Sequence, residues 1–393
     1  ITLLKQSDSL LVFNVLKRAG GLSELIVFVN GKGGVDTIDI AGLDFKNNEA
    51  KVEINTGKYA DYFVAGAENS IFLRAKTTDR LITSRGVEIS QSGKPGNSSD
   101  TKLFAIIIGI NDYDGTSLNL EYCVKDANAI EEVISKSTKE LLNVQGKKDN
   151  VVIYKLVSGK GNLTPTKENI IRTFEKVKAE AKPNDILIVF LAGHGTIYPA
   201  GSDKLYCLTS EANSFNEVAD PEKRKIMSIN GDELIGWFKS IYAKRQIMIL
   251  DVCNSGAIVS NISKADSKFE AGTSRQESAI DNLNKESGVY VLSGAAGGTL
   301  ANEVVPLKQG LLTYSILYGM KNGSALRDNH FLNIKELIYG SVSNLKMISK
   351  DFGFQQDPYY NFPLGGGTYD IGIVDKKIQE EIKLESSTLI MVK

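Results

Sequence analysis

Two kinds of hydrophobic pattern divide the chain. Up to about residue 96, apolar and polar positions alternate in short runs: "SLLVFNVL", "SELIVFVNG", "AKVEINTG", "NSIFLRAKT" and "RGVEIS". Alternation with period two places one set of side chains on each face of a strand, and Asn-Gly and Gly-Gly pairs supply the turns between them. So many short strands in so short a stretch predict a small all-β, immunoglobulin-like sandwich over residues 1–96. Within it, "NGKGG" (30–34) has half the look of a phosphate loop. Glycine follows Lys32 where a hydroxyl should hold magnesium, so a hairpin turn is expected.

A Gly/Ser/Pro/Asn stretch, "SQSGKPGNSSD" (90–100), has linker composition, and the grammar changes after it. "KLFAIIIGI" (102–110) is continuously apolar, as a strand buried on both faces must be. "NVVIYKLV", "DILIVFLAG", "RQIMILDV" and "GVYVLSGA" repeat the theme. Between them lie helical spacings in "LEYCVKDANAIEEVISKS", "TPTKENIIRTFEKVKAEA" and "NGDELIGWFKSIYAK", and further helices are expected at about 309–322 and 333–349. Strand-helix alternation of this length predicts an α/β domain over residues 97–375, a parallel sheet with helices on both faces. "DKKIQEEIKLESS" opens a charged, peripheral tail, 376–393.

Composition narrows the function. A net charge of −1 lacks the basic excess of a nucleic-acid or membrane-surface protein, so neither partner is expected. No apolar run approaches the ~18 residues of a membrane span. The chain begins at Ile1, so a leader or an upstream regulatory region can be neither found nor excluded. Cys123, Cys207 and Cys253 are an odd, sparse set unlike a disulfide framework, which points to a reducing, cytoplasmic setting. Two histidines and no Cys-x-x-Cys pair leave little material for a structural or catalytic metal.

Those scarce residues fall at telling places. "DILIVFLAGHG" (185–195) stops on His194, and "RQIMILDVCNSG" (245–256) stops on Cys253. In an open parallel sheet, reactive groups gather at the carboxyl ends of the strands. One helix and one long loop separate the two runs, enough for a crossover that makes the strands neighbours. Taken alone, a strand-end cysteine is commonly a small core hydrophobe, and a strand-end histidine a hydrogen-bonded structural one. Together, each closely followed by glycine (Gly195, Gly256), they point to a thiol and its base. His330, in the polar turn "RDNHF", reads as solvated surface.

"GHG" after one strand and "DVCNSG" after the next resemble the signatures of the caspase-like (clan CD) cysteine peptidases, most of all bacterial caspase homologues and metacaspases. "LFAIIIGINDY" is similar to their first strand, "VKDANAIEEVI" to their Asp-Ala helix and "QQDPYYNFPLGGGTYDIGIV" to their closing segment, so the likeness spans 102 to about 372. It implies a mostly parallel six-stranded sheet flanked by helices, and peptide-bond hydrolysis through a thioester. Carried over, Cys253 attacks, His194 is the general base and then the acid, and the backbone amides of Gly195 and Cys253 hold the oxyanion. Two departures stand out: Ala192 replaces a frequent serine, and Asn254 a frequent histidine. Neither touches the dyad, though Ala192 bears on pocket polarity.

By strand alternation Asp251 points to the same side as Cys253. It could simply cap a loop, and Asp126 could simply be a first-turn acid favoured by its helix dipole. The resemblance instead implies that both line the S1 pocket, and two carboxylates there favour a guanidinium, hence Arg or Lys at P1. "VLSGAAGG" (291–298) resembles the strand against which substrate is laid, with Ser293, Gly294 and Ala295 as candidates. The polar stretch 257–287 corresponds to the caspase inter-subunit linker; Lys264, Lys268, Arg275 and Lys285 make self-cleavage there an expectation, and a basic loop at 221–228 is also eligible. A mobile segment of this kind invites control by a docking partner. The resemblance also allows Ca2+ as an activator, although "NDYDGTS" (111–117) is only a fragment of a calcium loop. The alternative function is a catalytically silent caspase-fold interaction protein, disfavoured by retention of both dyad residues.

Overall fold

The computed structural model describes the chain except for residues 65–67, 80–81, 93–100, 144–148, 200–201, 203, 255–272, 296–302, 305, 354–355, 364–365 and 385–393. The first seven strands are β1 (Thr2–Gln6), β2 (Leu10–Leu16), β3 (Glu24–Val29), β4 (Lys32–Asp39), β5 (Glu49–Asn55), β6 (Glu68–Lys76) and β7 (Val87–Ser92). They form two antiparallel sheets, β1-β2-β5 and β4-β3-β6-β7. Phe13, Val15, Val52 and Ile54 of the first share one core with Leu25, Val27, Ile71 and Leu73 of the second. β1 and β4 escaped the hydrophobic pattern for local reasons. β1 is an edge strand whose side chains are nearly all exposed, and β4 opens on Lys-Gly-Gly. The "NGKGG" stretch is indeed a hairpin turn, with Asn30 and Gly31 at φ 55° and 78°.

Past the linker, β8 (Leu103–Gly109), β9 (Val151–Val157), β10 (Ile186–Ile197), β13 (Arg245–Asn254) and β14 (Tyr290–Ser293) pair in parallel, in the order β9-β8-β10-β13-β14. β15 (Tyr359–Asn361) closes the edge antiparallel to β14. The expected six strands are therefore present, but the sheet has eight. β10 outruns its neighbour: β8 stops opposite Ala192, and Gly195–Ile197 instead take β11 (Leu205–Leu208) antiparallel, followed by β12 (Ser228–Asn230).

Every residue of β8 is buried, because both faces are covered. Leu103, Ala105 and Ile107 pack with Ile130 and Ile134 of α1 (Cys123–Leu142), and with helices we number α6 (Leu311–Asn322) and α7 (Ile334–Asp351). Phe104, Ile106 and Ile108 pack with α2 (Lys167–Glu180), α4 (Gly231–Ser240) and α5 (Thr273–Ser287) on the opposite face. The short helix α3 (Pro221–Met227) occupies the basic loop at 221–228.

Two expectations about polar segments change. The later part of the 257–287 stretch is α5, which buries Ala279, Ile280 and Leu283. Its apolar residues are sparse, but one helical face collects them. The segment from 376 is likewise anchored: α8 (Lys376–Glu381) and the residue after it sink Ile378 and Ile382 into the core, and Lys321 Nζ donates to the Ile382 carbonyl at 2.6 Å.

The β-rich module is docked on the base of the sheet. Lys32 is 1 % exposed, and its ammonium donates to the Phe238 carbonyl at 2.7 Å, at the carboxyl end of α4. That is where a helix dipole favours a cation. Lys76 of β6 pairs with Glu286 at the end of α5, and Lys239 with the same carboxylate at 3.3 Å. No described helix is long and apolar enough to cross a membrane.

Candidate active site

β10 and β13 are adjacent and in register, with His194 directly opposite Cys253. Neighbouring strands lie about 4.8 Å apart, so the two backbones are as close as a sheet allows. The sequence expectation that a crossover would bring them together is met at the level of the backbone.

The histidine is held by groups that sequence reasoning missed. Its ring is 9 % exposed and sits between Tyr113 and Phe215, with centroids 5.1 and 5.0 Å away. The His194 backbone N–H donates to the Tyr113 hydroxyl at 2.9 Å, and Nε2 lies 2.7 Å from the Leu118 carbonyl oxygen. A carbonyl only accepts, so Nε2 carries the proton and Nδ1 is the nitrogen with the lone pair. Burial pushes the imidazole below its ordinary 6.5, and the Leu118 carbonyl pulls the other way. The neutral imidazole is thus the favoured form.

Tyr113 and Leu118 come from the loop after β8 that contained the calcium-loop fragment. There Asn111 Oδ1 accepts from Val124 N at 2.9 Å at the start of α1, and Asn119 Oδ1 accepts from Tyr113 N at 2.9 Å. Asn111 and Asn119 thus help to fold the loop that orients the imidazole. Among the described residues no group of three or more His, Cys, Asp or Glu could hold a metal.

Asp126 and Asp251 do meet, although 125 positions separate them in sequence. They are 2 % and 6 % exposed. Asp126 Oδ2 accepts from Gly310 N at 3.0 Å; Asp251 Oδ2 accepts from Thr313 N at 3.2 Å and Thr313 Oγ1 at 2.8 Å. A β-carbon on Gly310 would lie 2.6 Å from the Asp251 carboxylate and 2.9 Å from that of Asp126. Both acids therefore converge on the amino terminus of α6, which is the favourable end for negative charge. The sequence signal was the strand alternation for Asp251; nothing in sequence spacing pointed to Gly310 or Thr313.

On the strand side, Gly294 runs close to the same acid: a β-carbon there would be 3.2 Å from Asp251 Oδ1. Ser293 is buried, faces Tyr359 of β15, and donates to the Ala295 carbonyl at 2.9 Å. The Gly294 carbonyl accepts from Gln356 Nε2 at 2.7 Å. Gly195 is flanked by Asn254 and Cys207. Lys264 and Lys268 lie outside the described residues, and Arg275 falls within α5. His330 is half-buried in its turn against Phe331, away from the dyad.

The chain is similar to known proteins. The family model described as the caspase domain matches residues 102–364. Metacaspase-4 of Arabidopsis thaliana is 26 % identical over 187 residues, covering 46 % of this chain and 39 % of that protein. Metacaspase-1 of Meyerozyma guilliermondii is 34 % identical over 93 residues, 24 % of this chain and 21 % of the relative. The chain thus spans less than half the length of either curated relative. Caspase-1 from Spodoptera frugiperda superimposes with TM-score 0.41 at 11 % identity, over 68 % of this chain and 88 % of that one.

Proposed function

The chain belongs to the caspase-domain peptidase family, and from that premise we propose that it is a cysteine endopeptidase cutting after Arg or Lys, with the β-rich module as an immunoglobulin-like accessory domain. The observation that carries the reading is the in-register pairing of His194 with Cys253, with Nε2 tied to the Leu118 carbonyl. The Cys253 thiol passes its proton to Nδ1 and the thiolate adds to the scissile carbonyl. The tetrahedral oxyanion is held by the Gly195 and Cys253 amides. The His194 imidazolium then protonates the leaving amine and a thioester remains; His194 next takes a proton from water, which hydrolyses it.

The convergent carboxylates of Asp126 and Asp251 give the P1 preference. A guanidinium can satisfy two acids with forked hydrogen bonds, whereas an acidic P1 would be repelled. In this structure the acids are engaged by the start of α6, so substrate entry entails exchanging those amide partners for the P1 cation. Self-cleavage falls more readily after Lys264 or Lys268 than after Arg275, because a peptidase binds extended chain and α5 would first have to unwind.

Peptidase assays of wild type, Cys253→Ala and His194→Ala on fluorogenic peptides with Arg, Lys or Asp at P1 test the whole reading. Wild type is expected to cut the Arg and Lys peptides only, and both folded variants to be inactive. Full activity in either variant, or preference for Asp, overturns it. Mass spectrometry of wild type beside Cys253→Ala, with and without Ca2+, tests self-processing and calcium activation together.

A further inference from the structure

Docking of the β-rich module leaves a cleft of about 490 Å³ between it and the base of the sheet, opposite the end that carries the dyad. Lys244 and Arg245, which lead into β13, line it, with Tyr369 and the Gly366–Gly367 backbone on the far wall and the Asn30–Gly31 turn on the module side. Arg245 is eight residues before Cys253 on the same strand, which at ~3.3 Å per residue puts the cleft roughly 26 Å from the nucleophile. It belongs to no part of the site already described.

The charges in this cleft are not balanced by the protein. Among the described residues neither cation has an ion-pair partner, and the Lys244 ammonium makes no hydrogen bond. Burial and the adjacent Arg245 both disfavour its charged form. Arg245 donates to Asn184 Oδ1 at 2.8 Å and lies over the Tyr369 ring at 5.5 Å. The acid it senses, Asp185, already accepts backbone N–H groups of Lys102 and Lys182, each at 2.8 Å. Glu88 lines the cleft as well but is exposed and pairs with neither cation. Tyr369 contributes its ring to the wall, and its hydroxyl is buried away from the cleft. A cleft lined by two cations that no carboxylate pairs attracts an anion.

We propose that this cleft is a binding site for a small phosphate-bearing molecule. Lys244 supplies a point charge and Arg245 a fork of N–H donors, a set that suits an acceptor with several oxygens around one centre. Nothing lies within 4 Å of where a β-carbon on Gly367 would stand, so such a group can approach main chain closely there. The volume exceeds that of a bare phosphate and lies in the range of small organic ligands. Because the walls come from both modules, the ligand ties the accessory module to the strand bearing Cys253 and Asp251.

The test is calorimetric titration of the full chain with inorganic pyrophosphate, and with succinate as a carboxylate control. Saturable one-to-one binding of pyrophosphate is expected, weakened at least about tenfold in Lys244→Met, the loss typical of removing a charged hydrogen-bond partner. Tyr369→Phe, which keeps the ring under Arg245 and removes only a hydroxyl that does not face the cleft, should leave it unchanged. Lys285→Met, at an exposed lysine paired with Asp281, should leave it unchanged. No saturable binding, equal affinity in Lys244→Met, an equal loss in Lys285→Met, or succinate binding as tightly as pyrophosphate would each overturn the proposal. The readout is binding, so it stands or falls apart from the peptidase reading.

Discussion

Replacing Tyr113 by phenylalanine removes a single oxygen and isolates what holds the base in place. The ring would keep its contact with the His194 imidazole, and the Nε2 bond to Leu118 would be untouched. What is lost is the acceptor of the His194 backbone N–H, a 2.9 Å bond in a buried setting. Stranding a buried donor costs about 1–3 kcal/mol. If the end of β10 moves to recover a partner, the imidazole moves with it. The same energy expressed at the transition state would be roughly a five- to 150-fold loss in kcat/KM. Most of it should fall on kcat, since Tyr113 does not line the carboxylate pair proposed to select P1. The assay is steady-state kinetics on a P1 Arg peptide, beside a thermal melt to establish that the variant is folded. A folded Tyr113→Phe protein with unchanged kcat/KM would refute the claim that this hydroxyl positions the base.

The depressed basicity of His194 sets a direction in pH. A general base must be neutral, so the acid limb of kcat/KM should fall below 6.5. The unfolded chain protonates at the ordinary value while the fold resists it, so this contribution to stability is complete above 6.5 and lost as pH falls below it. Denaturant melts of wild type and His194→Gln across that range should show the slope only in wild type. Burial pushes the Cys207 thiol up to about 12 and Cys123 is also buried, so brief iodoacetamide treatment at neutral pH should label Cys253 alone. Native labelling of Cys207, read by peptide mapping, would contradict this. Gly288→Ala should cost about 3 kcal/mol or more, because φ is +72° and a β-carbon would lie 2.4 Å from the Gly31 carbonyl oxygen. Gly31→Ala, at φ +78° with open space around it, should cost only the left-handed strain of about 1–2 kcal/mol. Equal melting temperatures for the two variants would show that the hairpin is not wedged there.

Much of this protein could be read before any coordinates, and the reason is physical. Strands buried on both faces must be continuously apolar, so β8, β10 and β13 announced themselves. A scarce reactive residue at the end of such a strand sits at the carboxyl end of the sheet, which located His194 and Cys253. Weak patterns failed where burial was partial or came from elsewhere: β1 and β4 lack alternation, and α5 and α8 bury only a few residues each among many charges. What no sequence pattern contains is the pairing across distance. That Leu118 offers its carbonyl to the base, that Asp126 and Asp251 share the amide groups of Gly310 and Thr313, and that Lys32 ends against the carboxyl terminus of α4 are decided only when the strands register and the helices dock. Composition and periodicity fix which side chains must be inside. Which polar groups then meet there depends on chain closure over tens to hundreds of residues, and that information exists only in the packed structure.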